Sequence, residues 1–399
     1  MMKKLLSVLL VLPVLVLGVG ATESADVYPY GFATEQFWYE EAVPAAEFAS
    51  GISCKGCLLM EASTGKVLYA SHEHDKLAIA SVTKVMATLL VMEAIDGGLL
   101  ALTDTVTVSE RASSMGGSQV YLEPGEQMTV DDLLKSLIVV SANDATVALA
   151  EAVCGSEEAF IAEMNAKAED LGLADTHFSN TNGLPAENHY SSAYDVALTT
   201  RELLKHETVL HYTNIWMDTI RGGAFGLANT NKLIRFYEGA NGMKTGFTSE
   251  AGYCLSGTAK RNGMQLIAVV LGAETSGDRF ALAKQLLDYG FAGYELKTPD
   301  PELPEFLPVT GGERETVGLI CEPPALLLKK GSRNPLHREL SLPESVEAPV
   351  EEGEVVGTVS FCDENGVIAV SDVRAGASVR KIGFSFTFNR ILTTLFGIF

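Results

Sequence analysis

The sequence predicts an α/β fold, an antiparallel sheet flanked by helices and joined to an all-α lobe, followed by a small C-terminal all-β domain. Three observations predict it. A strand-like hairpin pattern from Gly56 to Ala70 is followed by an apolar helix, residues 105 to 206 carry helix-start signals without long strands, and strand signals return at Gly242. Prolines and a series of short β segments then complete the chain.

The chain has 399 residues, 47% hydrophobic and 20% charged. That length suits two domains, since single cores stop growing at roughly 250 to 300 residues. Gly and Pro contents are ordinary, which excludes collagen-like and disordered classes. The first segment reads as a secretory signal over residues 1–21: Lys3 and Lys4, an apolar run from Leu5 to Val19, and small residues before an expected cut near Ala21. A lead segment, 22–48, precedes the catalytic domain expected over 49–297.

Within that domain, Cys57 to Met60 and Lys66 to Tyr69 flank Ala62-Ser-Thr-Gly65, a hairpin. Ser81 is expected to open a helix whose apolar residues (Val82, Val85, Met86, Leu89, Leu90, Met92, Ile95) cover most of its circumference, so it is central, and Gly97-Gly98 stops it. Thr129 with Asp132, Ser156 with Ala159 and Ser192 with Asp195 mark helix starts in the lobe. Strands follow at Gly242 to Phe247, Gly252 to Thr258 and Met264 to Leu271, the last two joined by the hairpin turn Asn262-Gly263. A helix runs from about Asp278 to Tyr289.

Pro299, Pro301, Pro304 and Pro308 predict a stiff linker over 298–310, and short segments at Thr316, Ala325, Val355 and Gly366 predict a β domain over 311–379. Residues 380–399 place Phe384, Phe388, Ile391, Leu395 and Ile398 at helical spacing, with Asn389 and Arg390 interrupting any spanning run. This predicts an amphipathic helix lying in a membrane surface.

Charge separates these parts. The whole chain has 51 acids against 29 bases, a net charge of -22, which disfavours nucleic-acid binding. Beyond Asp372 no acid occurs, while Arg374, Arg380, Lys381 and Arg390 remain, so the tail carries about +4. An acidic exported body with a cationic amphipathic tail suits an anionic outer leaflet.

No metal or cofactor set is apparent. Cys54-Lys-Gly-Cys57 has no second CxxC, its side chains point to opposite faces of a strand, and His72-Glu-His74 lacks a third ligand. Buried thiols are expected, with Cys321 and Cys362 left free to pair.

The chemistry lies in three motifs. In Ser81-Val-Thr-Lys84, residues three apart share a helix face, so the Lys84 amine reaches the Ser81 hydroxyl. Serine needs such a base, and lysine serves only when burial or another cation lowers its pKa. Lys244-Thr245-Gly246 offers the second cation, and Ser141-Ala-Asn143 lies between them. Singly the motifs are weak: Ser63 to Lys66 repeats SxxK in a hairpin turn, and Ser332 to Asn334 repeats SxN. Their order and context make the set specific.

As a set, together with Gly117 to Glu126, Asn182-Gly-Leu184, His189 to Asp195 and Gly242 to Tyr253, these residues resemble the serine-type D-alanyl-D-alanine carboxypeptidases, the low-molecular-mass penicillin-binding proteins. The likeness is close from Ile52 to Gly293 and looser over the β domain. It implies the penicillin-binding/β-lactamase-like transpeptidase fold, a peptidoglycan stem peptide ending in D-Ala-D-Ala as substrate, β-lactams as inhibitors, and no cofactor.

It also implies roles. Ser81 attacks, Lys84 is its base, and Ser141 relays a proton to the departing D-alanine. Asn143 holds the substrate amide, Lys244 and Thr245 bind the terminal carboxylate, and Gly246 lets substrate lie along the strand. The N–H groups of Ser81 and Phe247 form the oxyanion hole. A serine β-lactamase is one alternative, disfavoured because no Glu-x-x-Leu-Asn segment occurs and Ala142 replaces the aspartate of class A enzymes. A non-catalytic wall-binding scaffold is the other.

Overall fold

The computed structural model describes residues 51, 53–331, 336–363 and 366–396. The expected signal and lead segments, Ser332 and Asn334 of the second SxN, and Ile398 of the tail lie outside the described residues.

The hairpin β1 (Gly56–Glu61) and β2 (Val67–Ser71) pairs antiparallel. Its turn is held by the buried Glu61 carboxylate, which accepts hydrogen bonds from the N–H and hydroxyl groups of Ser63 and Thr64. The spare SxxK at Ser63 is thereby committed to a turn. A 3-10 turn, Ala80–Thr83, then leads into α1 (Lys84–Asp96), buried on most sides and stopped at Gly97, with Gly98 at φ 72°.

The lobe contains the paired short strands β3 (Thr105–Thr107) and β4 (Gln127–Thr129). Around them lie helices α2 (Glu110–Ser113), α3 (Val130–Val139), α4 (Asn143–Cys154), α5 (Glu157–Asp170), α6 (Ala193–Leu203) and α7 (Val209–Thr213). The side chains of Thr129, Ser156 and Ser192 each accept from the N–H three residues on, so α3, α5 and α6 begin where sequence places them. The hairpin β5 (Met217–Ile220) and β6 (Phe225–Ala228) and the single turn α8 (Leu233–Phe236) lead out of the lobe.

Three long strands follow: β7 (Ala240–Thr248), β8 (Gly252–Arg261) and β9 (Met264–Ala273). Asn262 and Gly263, both at positive φ, turn β8 into β9. The sheet order is β2-β1-β9-β8-β7 and every pairing is antiparallel, so β7 is an edge strand. Side chains alternate across the sheet. Leu58, Met60, Ile267 and Val269 join α1 and the lobe in one core, while Leu59, Leu266, Ala268 and Val270 pack with Phe280, Ala283, Leu286 and Leu287 of α9 in another. Helix α9 spans Ser276–Gly293, longer at both ends than the apolar pattern suggests, because Thr275 supplies the cap.

Strand β10 (Tyr294–Lys297) pairs with β13 (Leu326–Lys329). The β domain holds β11 (Phe306–Thr310), β12 (Thr316–Ile320), β14 (His337–Ser341), β15 (Val346–Glu347), β16 (Val355–Asp363) and β17 (Gly366–Ala375) in the order β14-β16-β17-β12-β11-β15. Strand β11 begins inside the expected linker, with Pro308 exposed on the strand. Cys321 and Cys362 are free, as are Cys54, Cys57, Cys154 and Cys254. Backbone contacts tie the chain to the β domain as far as Ile382, and α10 (Phe384–Phe396) follows with Phe384, Phe388, Ile391 and Leu395 exposed.

Candidate active site

Ser81 lies on the 3-10 turn, not at the first turn of an α-helix as its spacing suggests; α1 begins at Lys84. The consequence favours the pairing, since residues i and i+3 eclipse at three residues per turn. Lys84 Nζ donates to Ser81 Oγ at 3.2 Å. Ala80 enters the turn at φ 48°, a conformation that L-residues adopt at a cost and that recurs at functional sites.

Two glycines let neighbouring chains close on this turn. A Cβ on Gly183, at φ 81°, would lie 1.8 Å from the Ala80 carbonyl oxygen. One on Gly246 would lie 2.8 Å from Ile79 O and 2.9 Å from Ser81 N. Gly246 is therefore required first by the approach of β7 to the nucleophile's own backbone, a reason different from the substrate clearance implied by resemblance.

The Lys84 side chain is wholly buried. Besides Ser81 it donates to Ser141 O at 3.0 Å, Ser141 Oγ at 3.4 Å, Asn182 O at 3.4 Å and Asn143 Oδ1. Desolvation, and then the charge on Lys244, holds its pKa well below the usual lysine value, against a smaller opposing pull from Asp144. An amine whose charged form is disfavoured in this way can take the hydroxyl proton of a serine.

Ser141 stands at φ 66° ahead of α4, whose N-cap, Ala142, offers no side-chain cap. Asn143 Nδ2 donates to Gly116 O at 2.6 Å and its N–H to Ser118 O at 2.7 Å. Asp144, fully buried, accepts from the N–H groups of Val120 and Leu122, both at 3.1 Å. This pins the 116–122 segment beside Asn143. Behind the turn, Ser179 N–H donates to His189 Nδ1 at 3.0 Å, so Nε2 carries the ring proton and faces Thr83 Oγ1 at 2.8 Å. Burial lowers the His189 pKa to about 4, which keeps the ring neutral.

On β7, Lys244 and Thr245 are nearly buried while Phe247 is exposed and stacked on Tyr253, ring centroids 4.3 Å apart. Lys244 Nζ donates to Thr245 O at 3.1 Å and Thr245 Oγ1 to Thr230 Oγ1 at 2.7 Å. Burial, and then the Arg279 guanidinium, lowers Lys244 to about 7. The structure thus gathers Ser81, Lys84, Ser141 and Asn143 by direct contact and seats Gly246 against Ser81.

Sequence reasoning passed over Arg279 and Asn182. Arg279 is buried on α9, donates to Gly246 O at 3.0 Å and Cys254 O at 3.1 Å, and leaves Nε without a partner among the described residues. Burial lowers its pKa to about 10. Asn182 presents its backbone oxygen to both Ser81 and Lys84, while its buried Nδ2 has no partner among the described residues. Only an arginine in the pattern of the helix expected from Asp278 to Tyr289 hinted at the first; Asn182 entered only within the Asn182-Gly-Leu184 segment of the resemblance, with no role assigned.

The family model for D-alanyl-D-alanine carboxypeptidase matches residues 42–275, and that for the penicillin-binding protein 5 C-terminal domain matches 302–381. D-alanyl-D-alanine carboxypeptidase DacF of Bacillus subtilis is 42% identical over 360 residues, 88% of this chain and 92% of the relative. DacC of Escherichia coli is 36% identical, covering 90% of this chain and 93% of the relative. The structure of penicillin-binding protein 5 from Haemophilus influenzae superposes with a TM-score of 0.71 at 30% identity, over 83% of this chain and 98% of that one. With both domains matched in order, and relatives of this identity along nearly their full length, the chain belongs to the D-alanyl-D-alanine carboxypeptidase family of penicillin-binding proteins.

Proposed function

We propose that this chain is a serine-type D-Ala-D-Ala carboxypeptidase that removes the terminal D-alanine from peptidoglycan pentapeptide stems through an acyl-enzyme on Ser81, and that penicillin acylates the same serine. One observation carries the mechanism: a single buried, depressed-pKa amine, Lys84, touches both hydroxyls, Ser81 and Ser141.

The substrate strand lies along β7, the last strand of the sheet. Lys244, Thr245 and the nearby Arg279 attract its terminal carboxylate through charge-assisted hydrogen bonds. Asn143 holds the substrate amide, and Phe247 borders the cleft. Lys84 takes the Ser81 proton as Oγ attacks the carbonyl. The oxyanion is met by the N–H groups of Ser81 and Phe247, worth about 3 to 4 kcal/mol per donor. Ser141 passes a proton from Lys84 to the leaving amine, D-alanine departs, and water releases the acyl group.

The exported character and the attachment belong to this reading as well. Residues 1–21 act as a secretory signal, 22–48 lead to a catalytic domain over 49–297, and 298–310 link it to the β domain at 311–379. Residues 380–399 lie in the outer face of the cytoplasmic membrane. In support, the apolar residues of α10 are exposed rather than packed on the β domain, Arg380, Lys381 and Arg390 are cationic, and no described helix is long and apolar enough to cross a membrane.

The test is release of D-alanine from a pentapeptide ending in D-Ala-D-Ala. Wild-type protein releases it and Ser81→Ala does not, a loss of at least about 10³-fold given what an activated nucleophile contributes. Retained release by the variant, or none by either protein, contradicts the proposal.

A further inference from the structure

On the outer face of the C-terminal sheet, three donor side chains converge that hydrolysis at Ser81 does not use. His337 and Glu339 are two apart on the edge strand β14 and so share a face, and His337 pairs directly with Cys362 of β16. Arg338, between them, is paired with Phe361, and on β16 Phe361 and Val359 turn the other way into the domain core. A ring nitrogen, a carboxylate oxygen and Cys362 Sγ all lie within 4.8 Å of one another, the one such group of three among the described residues.

Nothing else among the described residues claims these donors. No described residue makes a hydrogen bond or ion pair with the His337 ring or the Glu339 carboxylate. The adjacent guanidinium of Arg338 is turned to Glu302, at 2.8 Å, so it leaves Glu339 uncompensated. Cys362 is only 4% exposed beneath two exposed neighbours, an arrangement in which an ion held from above shields the sulfur.

We propose that His337, Glu339 and Cys362 form a binding site for a borderline-soft divalent cation of the Zn²⁺ class. Thiolate and imidazole together select against Mg²⁺ and Ca²⁺, which prefer all-oxygen shells. Zinc bond lengths of about 2.0 to 2.3 Å put tetrahedral ligand atoms roughly 3.3 to 3.8 Å apart. Rotamer adjustments of His337 and Glu339 on an exposed strand close the remaining gap. Three protein ligands leave the fourth position to water. Binding releases the thiol proton to solvent and involves no redox change. The bound ion ties the edge strand β14 to β16, a stabilising cross-link separate from the carboxypeptidase centre.

Full-length protein, reduced and stripped of metal by a chelator, is titrated with Zn²⁺ against a chromophoric competitor, and with Co²⁺ by absorption. One equivalent binds, Co²⁺ develops a thiolate charge-transfer band, and His337→Ala and Cys362→Ser each weaken binding by more than about 100-fold, beyond what outer-shell changes cause. Zn²⁺ raises the melting temperature of the wild type and not of either variant. Penicillin labelling of Ser81 in both variants reports that they are folded. A Cys54→Ser/Cys57→Ser variant binds as the wild type. Absence of saturable binding, binding undiminished in His337→Ala and Cys362→Ser, or loss in the Cys54/Cys57 variant instead overturns the site.

Discussion

At Ser81, reactivity depends on the charges of two lysines. Lys84 must be neutral to accept the proton, whereas Lys244 must be cationic to bind a carboxylate. Burial lowers both; the charge on Lys244 adds to the effect at Lys84, and the Arg279 guanidinium adds to it at Lys244, which falls to about 7. As pH falls through the depressed pKa of Lys84 the amine protonates and acylation is lost. As pH rises through about 7 in the free enzyme, Lys244 loses its charge and carboxylate affinity declines. The expected profile of kcat/KM is bell-shaped, with an alkaline limb near neutrality that appears in kcat/KM more than in kcat, because bound carboxylate restores the Lys244 charge. A profile flat from pH 5 to about 9 contradicts this assignment.

Glycine geometry gives a second residue-scale expectation. Gly183→Ala forces a Cβ to 1.8 Å from the Ala80 carbonyl oxygen at a φ of 81°. It is expected to cost about 1 to 3 kcal/mol of stability in urea unfolding, and to depress activity further by displacing the Ser81 turn. Gly293→Ala, with no neighbour within 4 Å, serves as the control and should change little. Equal effects from the two substitutions contradict the close packing proposed to position Ser81.

At the scale of elements, legibility in sequence followed local chemistry. Helices α3, α5 and α6 announce themselves because Thr129, Ser156 and Ser192 satisfy an N–H within their own first turn. The start of α4 carries no such signal: Ala142 cannot cap, and the αL conformation of Ser141 is imposed by packing around Lys84. The 3-10 turn at Ser81 carries no local signal either: Ala80 takes φ 48° where Gly183 packs against its carbonyl and Gly246 against Ile79 and Ser81. Arg279 could not be assigned before α9 was known to lie against β7 and β8. In the β domain the half-exposed strands β11 and β14 were missed; prolines around the first read as linker.

The tail is an element whose behaviour is testable by itself. Deleting residues 382–399 is expected to move the protein from the membrane fraction to the soluble fraction while sparing D-alanine release. Persistent membrane association of the deletion sinks attachment through α10 and points to a retained N-terminal segment.

For the whole molecule, an acidic bulk is followed by a cationic tail, the part the proposed attachment uses, while the two cores on either side of one antiparallel sheet hold β7 against the 3-10 turn. Motif order along the chain was readable because each motif lies where a separate element begins or ends. Their convergence on Lys84 was not, because the contacts join motif residues as far as 59 positions apart.

The central claim is that Ser81, activated by Lys84, forms the covalent intermediate. Its most direct measurement is intact-mass and peptide-mapping mass spectrometry after exposure to penicillin. A single, long-lived adduct on Ser81, absent from Ser81→Ala and strongly slowed in Lys84→Ala, is the expected result. An adduct on Ser63 or Ser141, or rapid hydrolysis of the drug with no accumulating adduct, would contradict it.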